Sequence, residues 1–222
     1  MFIGHYALGL ASKKIDKAPS LAVMFIAVQL LDLLWPVFVL LGIETFEVDP
    51  GNTKMTPLNF THYPYSHSLL MSLVWGLLFG LIYYAITKNK KGSLLLFALV
   101  FSHWVLDFLS HRPDLPMSPF SGIKLGLGLW NHPIVESVLE IGIFVVGAVL
   151  YYNSVKPKRN IAFWALIVFF LIIHIMNIFG PPPPGTEMVA WTANSMWLFV
   201  LWAWWIEKGE KNVERATIPP KA

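Results

Sequence analysis

Residues 160–179 read NIAFWALIVFFLIIHIMNIF, a run of twenty residues in which His174 is the one ionisable side chain. An α-helix needs about 20 mainly apolar residues to cross a hydrocarbon layer of about 30 Å. In lipid only a helix or a closed barrel satisfies every backbone polar group, and barrel strands alternate apolar and polar residues, which this run does not. The stretch therefore predicts a transmembrane helix.

Five further runs of this kind lie on both sides of it. They cover residues 20–43, 68–87, 93–109, 133–152 and 188–206. The apolar segment 1–12 is too short to cross, so it predicts a half-helix that is tucked into the bundle or lies in the membrane interface. The expected fold class is all-α: a polytopic membrane helical bundle with about six transmembrane helices plus a short N-terminal apolar half-helix.

The composition points the same way. Hydrophobic residues make up 56% of the 222 residues and charged residues only 13%, with no cysteine, whereas about a quarter of the residues in a soluble domain are charged. These proportions exclude an ordinary cytosolic enzyme, a disordered chain and a disulfide scaffold. The basic residues form short clusters between apolar runs instead of one basic face, so no nucleic-acid partner is expected. The oligomeric state is left open.

The basic residues are confined to alternate loops. Thirteen of the 16 Lys and Arg residues flank the inner ends of the spans, and the exceptions are Lys54, Arg112 and Lys124. The positive-inside rule then places both termini in the cytoplasm and the loops 44–66 and 110–132 outside. We expect an integral protein of a prokaryotic plasma membrane, with one helical domain over residues 1–206 and a charged cytoplasmic tail over residues 207–222.

A few carboxylates and histidines interrupt the apolar runs. An ionised side chain at the bilayer centre costs about 2.5 kcal/mol or more, so such residues are candidates for function. At 1.5 Å of rise per residue, those on four spans reach one level near the outer ends: Asp32, His67, His103, Asp107, His111, His132 and Glu136. No Lys or Arg lies inside a span to pair with them. His174, alone on its span, is expected to be structural.

The string FSHWVLDFLSH at residues 101–111 spaces its polar members four residues apart. This interval places His103 and Asp107 on one helix face. Pro113 is expected to end the helix near Ser110, so that His111 turns away to another position.

A second string, WNHPIVESVLE at residues 130–140, repeats the interval with His132 and Glu136. Glu140 follows one turn later and is expected to support His132 from behind, as a hydrogen-bonding partner of a metal ligand. Two such His–carboxylate pairs on different helices are typical of divalent-metal sites in helical bundles. Imidazole and carboxylate ligands without thiolate favour Zn²⁺, with Mn²⁺ or Fe²⁺ as alternatives.

The order of these residues resembles the ligand order of zinc-dependent phospholipase C and the related zinc-dependent nucleases, which are all-helical phosphodiesterases with three clustered zinc ions. The matched positions are His5, Asp32, His62 or His67, His103, Asp107, His111, His132 and Glu136. The strings FIGHYALG, QLLDLLWP, THYPYSHSLL and FSHWVLDFLS also resemble the YdjM-type membrane-bound metal-dependent hydrolase family.

These resemblances imply a particular distribution of two or three metal ions. The first would be held by Asp32, His67, His103 and Asp107. The second would be held by His111, His132 and Glu136. Asp107 would bridge to a third ion near His5, and His62 would be a ligand, a phosphate contact or a loop residue.

The expected function is a metal-dependent hydrolase that cleaves a phosphoester, of a membrane lipid, at the outer face. Clustered metal ions lower the pKa of a shared water and clamp both oxygens of a phosphoryl displacement. Asp32 and Asp107 are the expected catalytic carboxylates, and the Arg112 guanidinium would contact phosphate oxygens. The alternatives are a divalent-metal transporter or a metal-binding membrane protein without hydrolase activity. A bis-His haem protein would leave the carboxylates unexplained.

Overall fold

The computed structural model describes the backbone of residues 1–217 and the side chains of residues 1–208. The last part of the predicted tail, residues 218–222 with Lys221, lies outside the described residues. The described part of the chain is 68% helical, as an all-α bundle requires.

Among the described residues, five helices are long and apolar enough to cross a membrane. They are α2 (Leu21–Leu40), α4 (Leu69–Thr87), α5 (Lys90–Ser110), α6 (Pro133–Val155) and α7 (Asn160–Phe179). The other α-helices of the described chain are α1 (Ile3–Ser12), α3 (Pro64–His67), α8 (Thr186–Asn194) and α9 (Trp197–Thr217). The polytopic helical bundle expected from the sequence is confirmed.

The sixth predicted span, residues 188–206, is divided between α8 and α9. Asn194 and Ser195 lie at the division, and such residues compete for backbone hydrogen bonds inside helices. The Asn194 side chain donates to the carbonyl of Ala190 at 3.0 Å. The amide of Met196 turns back to the carbonyl of Ala193 at 3.0 Å, a tighter turn than the α-helix has.

The segment 1–12 forms a half-helix within the bundle. The side chains of Ile3, Tyr6 and Leu10 on α1 are completely buried. A Cβ atom on Gly147 of α6 would overlap the carbonyl oxygen of Ala7 and would lie 2.9 Å from its Cα. The absence of a side chain at Gly147 therefore lets α1 pack directly on α6.

The two loops at the C-terminal ends of α2 and α5 contain small antiparallel sheets. The first pairs β1 (Thr45–Val48) with β2 (Leu58–His62), and the second pairs β3 (Leu115–Pro116) with β4 (Lys124–Leu125). The Lys124 ammonium donates to the Thr61 carbonyl at 3.3 Å, so the two loops meet. Neither sheet was predicted, because the apolar patterning of the spans carries no information about loops.

The opposite end of the bundle is tied together by Glu207 of α9. Its carboxylate lies 2.7 Å from the Lys13 ammonium and accepts a hydrogen bond from the Leu21 amide at 2.7 Å. Lys13 and Glu207 are both buried. One acidic side chain thus joins the C-terminal helix to the link between α1 and α2.

A candidate metal centre

Five ionisable side chains from four helices meet inside the bundle. They are His5 of α1, Asp32 of α2, His67 of α3, and His103 and Asp107 of α5. Their ligand atoms form two groups of three within 4.8 Å: His5 with His103 and Asp107, and Asp32 with His67 and His103. We call these five residues the His–Asp cluster.

Asp107 lies between the histidines of the cluster. Its Oδ1 is 3.1 Å from Nε2 of His5 and accepts from the Met1 amino group at 2.7 Å. Its Oδ2 is 3.1 Å from Nε2 of His103 and 3.9 Å from Nε2 of His67. The two carboxylate oxygens therefore face different imidazoles, as a bridging ligand would.

Asp32 is the cluster carboxylate most open to solvent. Its side chain is 25% exposed, compared with 4% for Asp107. Its Oδ1 lies 3.3 Å from Nε2 of His67 and 3.7 Å from Nε2 of His103. Pro36 lies four residues further along α2 and has no N–H, so it cannot bond the Asp32 carbonyl in the usual helical way.

The tautomer of His103 follows from its backbone partner. Nδ1 lies 2.7 Å from the carbonyl oxygen of Val28, which can only accept, so Nδ1 carries the proton. In the neutral ring Nε2 then presents a lone pair to Asp107 and Asp32, and it has no hydrogen-bond partner among the described residues. The ring of His5 stacks on that of His103 with 3.7 Å between centroids.

His67 is oriented by a relay through Ser66 to Glu44. The Ser66 hydroxyl donates to Glu44 Oε2 at 2.6 Å, and it also accepts from His67 Nδ1 at 2.7 Å. Glu44 is held by the amides of Tyr65 and Ser66, each at 2.8 Å. Because the single hydroxyl proton points to the carboxylate, Nδ1 of His67 is the donor, and in the neutral ring Nε2 carries the lone pair.

These tautomers leave lone pairs facing carboxylate oxygens. Two acceptors at such distances repel each other unless positive charge lies between them. A divalent cation satisfies both, since neutral imidazole nitrogens and carboxylates are its ordinary ligands. The hydrogen bonds at the far nitrogens of His67 and His103 are those that support metal-binding histidines. The residues therefore fit a metal ion.

The His–Asp cluster borders a cavity of about 900 Å³. Asp32, His67 and Asp107 form part of its wall. The loop between β1 and β2 and the Pro181–Pro184 corner form another part. A substrate in this cavity would be in contact with the cluster.

The second predicted metal set is not brought together. Neither group of close ligand atoms includes His111, His132 or Glu136. His132 is exposed, and its backbone lies at φ −124°, ψ 66° before the first residue of α6. Glu136 is buried and accepts from the Ser110 hydroxyl at 2.7 Å. The i,i+4 argument fails here because His132 lies outside the helix.

His111 turns away after the end of α5, as expected from the presence of Pro113, and its ring contacts the carboxylate of Asp114 in the following loop. Nδ1 of His111 lies 2.9 Å from Asp114, which also accepts from the Tyr63 hydroxyl at 3.0 Å. Burial alone would raise the pKa of Asp114, but hydrogen bonds from His111, Tyr63 and Arg112 hold it below its ordinary value. Burial and the nearby Asp114 charge raise the pKa of Tyr63.

Glu140 does not support His132; it caps helix α1. Its Oε1 accepts from the amide of Phe2 and from the amide of Gly4 at 3.0 Å. A carboxylate is favoured at a helix N-terminus, where the first N–H groups lack partners. Its Oε2 lies 3.7 Å from Nδ1 of His174, which is buried in the cavity wall. Glu140 thus positions the helix that carries His5.

Arg112 and His62 lie apart from the cluster. The Arg112 guanidinium donates to Asp114 at 3.2 Å and to the side-chain oxygen of Asn59. His62 is exposed at the end of β2, with its ring 6.3 Å from that of Tyr65. Neither residue borders the cavity.

Three side chains that position the histidines were missed from the sequence. Glu44 and Asp114 lie in the predicted loops, where a carboxylate is ordinary, and Ser66 is uncharged. Their neighbours could have drawn attention to them, because Ser66 precedes His67 and Asp114 follows His111 by three residues. Glu44 is 22 residues from Ser66, and only the folded hairpin joins them.

The chain matches a known protein family. The profile of a family described as YdjM inner membrane protein matches residues 3–180, which include the whole His–Asp cluster. No curated protein and no solved structure matches the chain.

Proposed function

The chain belongs to the YdjM inner membrane protein family, and we propose that it is a membrane hydrolase that uses a divalent metal ion, Zn²⁺, to cleave a lipid phosphoester. The observation that carries the proposal is the His–Asp cluster. Nε2 atoms of three imidazoles converge on two carboxylates, and two of these rings have the other nitrogen hydrogen-bonded.

We assign the first ion to four side chains: Asp32, His67, His103 and Asp107. The second oxygen of Asp107 accepts from the Met1 amino group, so a second ion between it and Nε2 of His5 would have to displace that contact. When bound, such ions lower the pKa of a coordinated water and neutralise charge on phosphoryl oxygens. Because the predicted second set forms no group of close ligand atoms, we assign no ligand role to His111, His132 or Glu136.

Asp32 is the residue we assign to the attacking water. It borders the cavity and is partly exposed, so it can accept a proton from a water that lies between the cluster and a substrate. Asp107 is more deeply buried and is engaged on both oxygens, which suits a ligand better than a base.

The substrate class follows from the surroundings of the cavity. Its wall includes apolar side chains of α7, α8 and α9, among them Ile173, Val189 and Phe199. A phosphoester of a lipid matches both this wall and the His–Asp cluster, whereas a soluble phosphoester would leave the apolar wall without a partner. Charge distribution over the loops favours a site at the outer face of the membrane.

The test combines metal analysis with hydrolysis. We expect the purified protein to contain Zn²⁺ by inductively coupled plasma mass spectrometry, and to release phosphate or a phosphorylated headgroup from a panel of membrane phospholipids. Asp32→Asn keeps only a neutral amide oxygen toward the ion, so it should lose hydrolysis and weaken metal binding in part, while Asp107→Ala should lose both. Absence of bound metal would refute the proposal. Metal uptake into proteoliposomes without lipid cleavage would instead identify a transporter.

A further inference from the structure

The cavity has two unlike walls. One contains the His–Asp cluster, and the other is apolar and lies on the end of α7, the Pro181–Pro184 corner, α8 and the start of α9. The apolar wall includes Ile173, Met176, Val189, Ala193, Met196 and Phe199. The cavity thus offers a polar and an apolar environment to a single ligand.

Helix α8 contributes one continuous face to this cavity. Its residues Val189, Thr192 and Ala193 lie at the intervals of one helical face and border the cavity, as does Met196 just beyond the end of α8. Trp191 lies on another face and is 62% exposed. The division between α8 and α9 at Ser195 also borders the cavity, so the interrupted span is part of its wall.

Methionine is concentrated around the cavity. Five of the eight methionines of the chain border it: Met1, Met55, Met176, Met188 and Met196. Methionine is unbranched and polarizable, and it is frequent on surfaces that accept ligands of variable shape. Such a lining suits a flexible hydrocarbon chain.

One cationic side chain faces this space from the hairpin loop. Lys54 borders the cavity and forms no hydrogen bond or ion pair with another described residue. The other two outer basic residues are engaged elsewhere, Arg112 by Asp114 and Lys124 by the Thr61 carbonyl. Neither of them borders the cavity.

We propose that this cavity is the binding site for the whole substrate amphiphile, resting on the function proposed above. The hydrocarbon chain lies against α8 and the methionines, and the Lys54 ammonium contacts the anionic head beside the His–Asp cluster. The ligand class is a long-chain alkyl or isoprenyl phosphoester. Lys54 takes the place that Arg112 was expected to have.

The chain-binding half is tested with butyl, hexyl and octyl phosphate, whose binding to the purified protein is measured by isothermal titration calorimetry. Affinity should rise with chain length, by at most about fourfold per methylene. Ala193→Trp fills the cavity, so it should abolish the gain from hexyl to octyl and leave butyl phosphate unchanged. Leu198→Trp, on an exposed part of α9 outside the cavity, should follow the parent.

The head-binding half is tested with Lys54→Gln. This variant should weaken all three alkyl phosphates by one common factor, roughly fivefold, because a single charge contact is lost. Lys54→Arg should bind as the parent does, and Lys124→Gln is the matched control on the same face. Equal binding by the Lys54 and Lys124 glutamine variants would overturn the role of Lys54.

These outcomes separate the binding site from the chemistry. If the protein holds metal and cleaves phospholipid but its affinity does not depend on chain length, the proposed role of the cavity is wrong and the proposed hydrolase function is retained. If affinity depends on chain length, Ala193→Trp removes this dependence and the protein cleaves no phosphoester, the proposed role of the cavity is supported and the proposed hydrolase function is refuted.

Discussion

The two predicted sets of metal ligands contain His–carboxylate pairs with the same spacing, but only one of these pairs comes together in the structure. His103 and Asp107 lie within α5 and meet with 3.1 Å between Nε2 and Oδ2. His132 and Glu136 have the same interval, but His132 precedes the first residue of α6 and is exposed. A four-residue interval predicts a shared face only when both residues have helical backbone angles.

Helix ends decide the difference. His111 follows the last residue of α5 with extended backbone, φ −64° and ψ 145°, and its ring meets Asp114. Pro133 begins α6 and leaves His132 outside the helix, as proline at a first helical position does. The same sequence signals that mark helix ends thus mark the residues to which the spacing argument does not apply.

The largest effect is expected on metal affinity when one histidine from each predicted set of ligands is replaced. His103→Ala removes a ligand that belongs to both groups of the cluster, so metal affinity should fall by more than the roughly 100-fold that loss of a supporting residue costs. His132→Ala should retain the metal content of the parent. Metal content is measured by mass spectrometry after dialysis. Loss of metal from the His132 variant, with His103→Ala unaffected, would reverse the assignment.

A smaller effect is expected from the relay behind His67. Ser66→Ala removes the hydrogen bond that fixes Nδ1, so metal affinity should fall about 10- to 100-fold. Ser66→Thr keeps the hydroxyl and should restore affinity, and Ser121→Ala in the loop that follows α5 is the control. Competition with a chelator of known affinity gives the constants. Unchanged affinity in Ser66→Ala would show that the relay does not orient His67.

The sequence predicted the helices better than their connections. Five spans and the half-helix follow from length and hydropathy, which are local properties of the chain. The division at Asn194 and Ser195 could not be predicted from hydropathy, because both flanks are apolar. Within the cluster, His103 and Asp107 were predictable from spacing in one helix. The Ser66–Glu44 contact joins residues 22 apart through a hairpin, and local patterns contain no such information.

A third test concerns the position of His5, the cluster residue furthest from the others in sequence. Gly147→Ala would force α1 away from α6, which should destabilise the protein by about 1–3 kcal/mol. Gly142 is on the same helix, with open space where a Cβ atom would lie, so Gly142→Ala should stabilise the protein by up to about 1 kcal/mol. Thermal unfolding in detergent compares the two. Equal stability of the variants would contradict the close packing of α1 on α6.

The smallest expected effect is on stability, and it tests whether His111 is bound to the loop carboxylate of Asp114. The folded pKa of Asp114 lies below its ordinary value of 3.8, so its charge stabilises the fold above that value and the contribution is lost as pH falls through the lower folded pKa. Asp114→Asn should therefore cost about 1 kcal/mol at pH 6, and its difference from the parent should shrink below pH 3.8. Asp49→Asn, at an exposed position of the hairpin, is the control. A difference that stays constant from pH 6 to strongly acidic pH would mean that His111, Tyr63 and Arg112 do not stabilise the ionised Asp114, and that His111 has a different partner.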